Sequence, residues 1–333
     1  MKIVIVKLSA LGDIIHAMII LQLIKKYNKD IKIDWVVEEG YKELLKSHPD
    51  IDNVFVINLK KAKKKRSLFL LISELKKIRK IGSYDLVIDM QGLIKSALIS
   101  RLIKSPITLG FNRFSIRESL ASFFYNKTFN YGYEKNVIER NVALINFAFG
   151  LNITNQEIEN KLPFLHPKNF FLNNNLSITK KNILLVPGAS HKSKCYPVSK
   201  FAKFTSLIDA NFLIIWGNKE EKILAEKIKT ISSNVKICDK LSIEQLVSLI
   251  SQVDLIIGPD TGPTHIGWAL NVPSITLFGP TPGYRNTYVT KINQIIESNS
   301  EVNPFKIDKN DKSIKDIDIQ QILKVTQNLL NHD

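Results

Sequence analysis

The stretch Asp254-Leu-Ile-Ile-Gly-Pro-Asp-Thr-Gly-Pro-Thr-His265 decides how this chain folds. Asp254–Ile257 carries a short apolar run, the pattern of a buried strand, and Ile266, Gly267, Trp268, Ala269 and Leu270 continue as a helix. Gly258-Pro259 closes the strand. A chain that leaves a strand and enters a helix presents its first helical N–H groups without carbonyl partners. Together with the positive end of the helix dipole, those donors suit a phosphate. Asp260 adds an acceptor for sugar hydroxyls, and His265 adds a donor or proton carrier. The turn therefore suits a nucleotide sugar. The same residues also make a plain structural turn, and the stretch alone leaves both readings open.

Outward from this junction the chain repeats one rhythm. Towards the amino terminus, strands are expected at Ile3–Val6, Lys32–Val37, Val54–Ile57 and Leu86–Asp89. Helical spacing marks Ile14–Lys26, Glu39–Ser47 and Leu68–Lys80 between them. A second series has strands at Asn182–Val186, Phe212–Trp216, Val235–Cys238, Leu255–Ile257 and Ser274–Phe278. Its helices fall at Val198–Asp209, Glu220–Ile231 and Ser242–Ser251, the last opening on the capping-box pair Ser242 and Gln245. Alternation of this kind predicts an α/β fold with parallel sheets and helices on both faces. The segment 151–181, rich in Asn, Pro and Lys, reads as a linker. The expected architecture is two facing Rossmann-like, doubly wound domains, 1–165 and 166–315, with a cleft between them. A final helix within Ile317–Leu330, in the segment 316–333, is expected to pack back across the boundary. Ligands of such sheets bind beyond the carboxyl ends of the strands. Three polar loops fall there: Ser9–Asp13, Pro187–Lys194 and Gly258–His265.

Composition narrows the function classes. A chain of 333 residues with 44% hydrophobic residues can build two cores, and its net charge of +16 points to an anionic partner. That partner is nucleic acid, an acidic membrane surface or a phosphorylated substrate; a Lys- and Asn-rich background explains part of the charge but not its clustering. Cys195 and Cys238 give neither a disulfide framework nor zinc spacing. Met1–Val6 is too short for a signal peptide, and no run approaches the ~20 apolar residues of a membrane span. A soluble, cytoplasmic protein with at most peripheral membrane contact is expected. GxGxxG and Walker A motifs are absent, which argues against dehydrogenases and P-loop kinases. The DxD tripeptides Asp50-Ile-Asp52 and Asp316-Ile-Asp318 lie away from the phosphate loops and read as turn or cap residues, so no metal site is expected.

In Lys7-Leu-Ser-Ala-Leu-Gly-Asp13-Ile-Ile-His16, position alone makes Asp13 an N-terminal helix cap, and its functional reading is a general base. His16 reads as a packing residue. Pro187-Gly-Ala-Ser190-His-Lys-Ser-Lys194 suits phosphate contact, or is an exposed basic loop. A lysine ammonium at ~4 Å from a phosphate contributes roughly 4 kcal/mol at an effective dielectric of about 20, before desolvation. The run Lys60-Lys-Ala-Lys-Lys-Lys-Arg66, with Lys76, Lys77, Arg79 and Lys80, adjoins the first unit's loops. It lacks aromatic interleaving, so an acidic lipid head group suits it better than nucleic acid.

Taken together the chain resembles the ADP-heptose glycosyltransferases of family 9, enzymes of GT-B architecture. The resemblance covers nearly the whole chain. It rests on Ser9-Ala-Leu-Gly-Asp13, Asp89-Met-Gln-Gly-Leu-Ile-Lys-Ser-Ala97, Gly110-Phe-Asn-Arg-Phe-Ser-Ile-Arg-Glu118, Lys194-Cys-Tyr-Pro197 and Gly258–His265. It implies an inverting enzyme, with no metal or other cofactor, that moves L-glycero-D-manno-heptose from ADP-heptose to the inner Kdo of Kdo2-lipid A in lipopolysaccharide core synthesis. The enzyme would work on the cytoplasmic face of the inner membrane, against its anionic leaflet. A sister activity uses the same donor on an acceptor already bearing heptose, and Gln91-Gly-Leu-Ile-Lys-Ser-Ala97 favours the first. The rivals from other classes are a nucleotide- or membrane-binding protein without catalysis and a sugar-nucleotide epimerase. The resemblance makes Asp13 the base and sets Lys194 against the leaving diphosphate. Ser190, Thr261 and Gly262 join Lys194 there, Asp260 lies by the heptose hydroxyls, and Thr264 and His265 complete the donor set. Glu220 takes the ribose, the spacing also admitting Glu221. Ser9, Lys64, Lys95, Arg113 and Arg117 face the acceptor. The family often has Thr-Thr where this chain has Ala189-Ser190, and Trp where it has Tyr196.

Overall fold

In a computed structural model the chain is described over residues 1–331. It divides into two compact units, Met1–His166 and the residues from Pro167 onward. The first contains β1 (Lys2–Val6), β2 (Lys32–Glu38), β3 (Asn53–Ile57), β4 (Leu86–Asp89), β5 (Ile107–Phe111) and β6 (Lys127–Phe129). The second contains β7 (Asn182–Leu185), β8 (Asn211–Ile214), β9 (Val235–Ile237), β10 (Leu255–Pro259), β11 (Ser274–Phe278) and β12 (Asn293–Glu297). The sheet orders are β3-β2-β1-β4-β5-β6 and β12-β11-β10-β7-β8-β9, with every neighbouring pair parallel. Counted within its own unit, each sheet has the same order. The winding reverses between β1 and β4 in one and between β7 and β10 in the other, and such switch points are where open α/β sheets bind ligands.

Parallel strands need cover on both faces, and the central ones are apolar on both. Ile3, Val4, Ile5 and Val6 are fully buried, as are Leu255, Ile256 and Ile257. Register sets the loops level: Val6 lies opposite both Val36 and Asp89, and Ile257 opposite Leu185. In the second unit Tyr196, Phe201, Phe204 and Phe212 form much of the core, each large side chain contributing roughly 1.5–3 kcal/mol by burial.

Burial sharpens the sequence reading at three places. β5, β6 and β12 were not visible as apolar runs, because Gly110 interrupts β5, β6 is a short edge strand with Lys127 and Thr128 exposed, and β12 begins Asn293-Gln294. The segment 151–181 is more than a connector. It holds the helix Asn155–Glu159, and Ile158, Phe164 and Leu165 are buried. The last helix, Ile319–Asn331, sets Ile319, Ile322 and Leu329 into the core of the second unit. No helix among the described residues is long and apolar enough to cross a membrane.

Candidate functional site

In the second unit the candidate residues gather on Asp260, which follows β10 at the sheet's carboxyl edge and is 7% exposed. Its Oδ2 accepts from Lys194 Nζ (2.7 Å), Thr281 Oγ1 (3.0 Å) and Asn286 Nδ2 (3.1 Å), and its Oδ1 lies 3.1 Å from His265 Nε2. A carboxylate has about four acceptor sites, so protein donors occupy it. Burial raises the pKa of this carboxyl, but the Lys194 ammonium and the His265 ring outweigh burial and hold it well below the usual range. Asp260 is therefore a fixed anion that aims Lys194 and His265, where the sequence reading sets it beside sugar hydroxyls. Lys194 ends the 3-10 turn Lys192–Lys194, and its side chain is 11% exposed. An ammonium has three N–H donors and Asp260 takes one, which leaves two for another anion.

The helix after β10 starts at Gly262, four residues earlier than the sequence suggests. Thr261 is its cap, and Thr264 Oγ1 lies 2.7 Å from Thr261 O and 3.0 Å from Pro259 O, which fixes the turn. Gly262 N–H stands in the first turn, where no intrahelical acceptor exists. Thr264 and His265 are buried within that turn.

The Pro187–Lys194 loop follows β7. Ser190 is exposed, whereas the Ser193 hydroxyl is buried with no hydrogen-bond partner among the described residues. Of the two glutamates, Glu221 is the one turned to this loop. It packs so closely that a Cβ on Gly188 would lie 2.2 Å from its Cγ, so any larger residue there would displace the Glu221 side chain. The Glu221 carboxylate accepts from Gly217 N–H (2.6 Å) and Asn218 Nδ2 (2.8 Å), while Glu220 is exposed. Tyr196 is buried against Phe201, and its hydroxyl donates to Ile317 O (3.0 Å).

In the first unit the corresponding residues surround the end of β1. Lys7 Nζ donates to Met90 O (2.9 Å). The Gln91 side chain clamps the loop: its Oε1 accepts from Leu8 N–H (2.7 Å) and Ser9 N–H (3.2 Å), and its Nε2 donates to Ser9 O (2.8 Å). Gln91 is itself held through Asp89, whose Oδ1 accepts from Gln91 N–H (2.8 Å) and Gly92 N–H (3.1 Å). Tyr125 donates its hydroxyl to Asp89 Oδ2 (2.8 Å), and its ring lies over Gly110, where a Cβ would come within 2.3 Å. Burial pushes the pKa of Asp89 up. Asp13, exposed in the first turn of the helix Leu11–Tyr27, accepts from Ala10 N–H through Oδ2 (3.1 Å). Its Oδ1 has no hydrogen-bond partner among the described residues. Asp13 is thus both a capping side chain and an accessible carboxylate.

The proposed acceptor residues divide. Lys95 Nζ lies 3.4 Å from Ser9 Oγ, which joins Lys95 to the loop whose next residue, Ala10, donates its N–H to Asp13. Arg113 and Arg117, both exposed, sit beyond β5; the Arg117 loop reaches Lys95's helix through Glu118, which accepts from Ile94 N–H (2.8 Å). Lys64, exposed on the helix after β3, makes no contact with this group among the described residues. Glu38, at the end of β2, went unnoticed in the sequence. It is buried, and burial raises its pKa against the pull of Lys60 and Lys95. The two DxD tripeptides serve the backbone: Asp52 accepts from Ile33 N–H (2.7 Å) and Asp318 from Gln320 N–H (3.1 Å).

Residues 72–314 match the pattern of glycosyltransferase family 9 (heptosyltransferase). The chain belongs to this family. It is 39% identical, over the full length of both chains, to a protein of Campylobacter coli called lipopolysaccharide heptosyltransferase 1. A protein of that name from Escherichia coli is 27% identical, over 86% of this chain and 91% of its own. In fold the chain is similar to E. coli heptosyltransferase WaaC with ADP, with a TM-score of 0.81 and 23% identity over 99% of this chain and 100% of that one.

Glycosyl transfer in general draws on an acceptor-side base and on charge neutralisation at the leaving group. The first unit offers Asp13 for the base, with a clamped loop behind it. The second offers Lys194 and the Gly262 amide for the leaving group, aimed by Asp260. Sequence reasoning missed Gln91 as a clamp and Thr281 and Asn286 as Asp260's partners. The latter had a signal in Phe278-Gly-Pro-Thr-Pro-Gly283, a second apolar strand ending in a Gly-Pro turn.

Proposed function

We propose that this enzyme transfers L-glycero-D-manno-heptose from ADP-heptose to the inner Kdo of Kdo2-lipid A, with inversion and without a metal ion. The observation that carries this reading is the end-to-end similarity to the C. coli relative, with the resemblance's motifs standing at the switch point of each sheet. Asp13 Oδ1 takes the proton of the acceptor hydroxyl as the new C–O bond forms at the anomeric carbon. The bond from that carbon to the β-phosphate oxygen breaks, and its electron pair leaves with ADP. Lys194 and the Gly262 amide stabilise the charge gathering there, a role in which one lost donor typically costs roughly 10²–10³ in turnover. Ser193 and Thr261 support the diphosphate, and Glu221 holds the ribose. Ser9, Lys95, Arg113 and Arg117 meet the acceptor's carboxylates and phosphates. With the acceptor in the inner leaflet, the protein works peripherally on the cytoplasmic face.

The test is to incubate the purified chain with ADP-heptose and Kdo2-lipid A and weigh the product. One added heptose is expected, with the rate unchanged by EDTA. Transfer only to an acceptor already carrying heptose would assign the sister activity instead. ADP binding without transfer to either acceptor would leave a binding protein, and donor turnover without acceptor an epimerase. Loss of activity in EDTA, restored by a divalent ion, would overturn the metal-free mechanism.

A further inference from the structure

The helix Leu68–Arg79 is inside out at its start. Ser67 caps it by accepting from Leu70 N–H, and Glu74 and Ile78 face inward. The outward side carries Leu68, Phe69 and Ile72, which are 74%, 81% and 50% exposed. Leu68, Ile72 and Lys76 follow one another at i, i+4, so one outward stripe runs from apolar to cationic along the helix. Arg66, at φ +48°, turns the chain into this helix from the preceding one, Leu59–Lys64. Residues 59–80 thus hold ten lysines and arginines and a single acid, Glu74, which is buried and paired with Lys77. Lys61, Lys63, Lys64, Lys65 and Arg66 are in no ion pair among the described residues. The helix Ile94–Leu102 packs against this one and also against the 3-10 turn Ser119–Phe124, where Leu120 and Phe123 are 60% and 77% exposed.

We propose that Leu68, Phe69 and Ile72 are a wedge that enters the interfacial layer of an anionic bilayer, with Lys60–Arg66 seated on its head groups. Apolar side chains ringed by cations match such a surface on both counts: the acyl boundary takes the wedge and the anionic heads take the charge. A second copy of the chain does not fit this face, because two like-charged rims repel. Nucleic acid satisfies the lysines but offers Leu68 and Ile72 no apolar phase. The inference deepens the reading of the acceptor as a lipid, and it is tested without sugar donor or acceptor, so failure of the transferase reading leaves the vesicle result standing.

The full chain is sedimented with vesicles of phosphatidylcholine alone or mixed with phosphatidylglycerol, at low and high salt. Wild type should partition onto the mixed vesicles only. The double variant L68S/F69S should bind about tenfold more weakly at both salt concentrations, and K63Q/K65Q/R66Q should lose binding mainly at low salt, where charge is least screened. Phe69→Trp supplies a readout independent of stability: the emission of the introduced indole should move to the blue on anionic vesicles. The proposal fails if wild type ignores anionic vesicles, if L68S/F69S binds as wild type does, or if the emission added by Phe69→Trp does not move. It fails equally if the double substitution instead breaks a solution dimer, or abolishes nucleic-acid binding while vesicle binding stays.

Discussion

The two units share one strand order yet treat their aspartates in opposite ways. Asp13 lies in the open at the end of β1, held by one backbone N–H, with an oxygen to spare. Asp260, in the loop that ends β10, is buried and saturated by Lys194, His265, Thr281 and Asn286. A carboxylate that must take a proton has to keep a lone pair uncommitted. One that must aim a lysine has to give its lone pairs away. The fold supplies the same kind of loop for both, and the surrounding donors decide the role.

The sharpest way to break that contrast is to remove each carboxylate's function in turn. Asp13→Ala should lower turnover by ~10²–10⁴, the usual contribution of a general base, with ADP binding and melting temperature near wild type. Near-normal turnover would take Asp13 out of the chemistry. Lys194→Ala should do two things at once. It strands the buried Asp260 charge, expected to cost about 3–5 kcal/mol of stability, and it weakens ADP binding. A Lys194 variant that melts like wild type would show that Asp260 does not depend on its partner.

The clamp on the first loop comes next in size. Gln91→Ala should lower turnover roughly 10- to 100-fold by letting the Ser9–Asp13 segment drift, with donor affinity unchanged. A rise in the donor's Michaelis constant with turnover preserved would refute a positioning role for Gln91.

The histidines extend the contrast to a smaller effect. His265 rests on a carboxylate, whereas His48 is buried beside His166, ring centroids 5.2 Å apart, with its pKa pushed down to about 4 by burial and then by that neighbour. The unfolded chain protonates His48 near its ordinary 6.5 and the folded chain resists until about 4. Its contribution to stability is therefore complete above pH 6.5 and falls away as pH drops towards 4, by up to about 3 kcal/mol. The stability of wild type relative to His48→Phe, read from melting curves, should fall as pH drops across that range, because the phenylalanine has no proton to take up. Parallel curves would exclude His48 as a source of acid lability.

What could be read from the sequence followed chain distance. Strands buried on both faces show as apolar runs, and the Ser242–Gln245 capping box appears as written, Ser242 Oγ accepting from Gln245 N–H (3.2 Å) and Gln245 Oε1 from Ser242 N–H (2.9 Å). Asp260 and Lys194 were legible because their loops carry Gly-Pro and Pro-Gly signatures. Gln91 lies 82 residues from Ser9, and Asp260 lies 66 residues from Lys194. No local spacing reports such pairs; they exist only once parallel pairing sets β4 beside β1 and β10 beside β7. Glu220 and Glu221 differ by about 100° around a helix, and only the structure shows which one overlies Gly188.

The hydroxyl of Tyr196 and the ammonium of Lys200 both end on the carbonyl of Ile317, at 3.0 and 2.9 Å. The loop that presents Lys194 is thereby moored to a point near the very end of the chain. A nonsense mutation between residues 287 and 317 would spare every residue assigned a chemical role and still cut that mooring, leaving the Lys194 loop without its anchor.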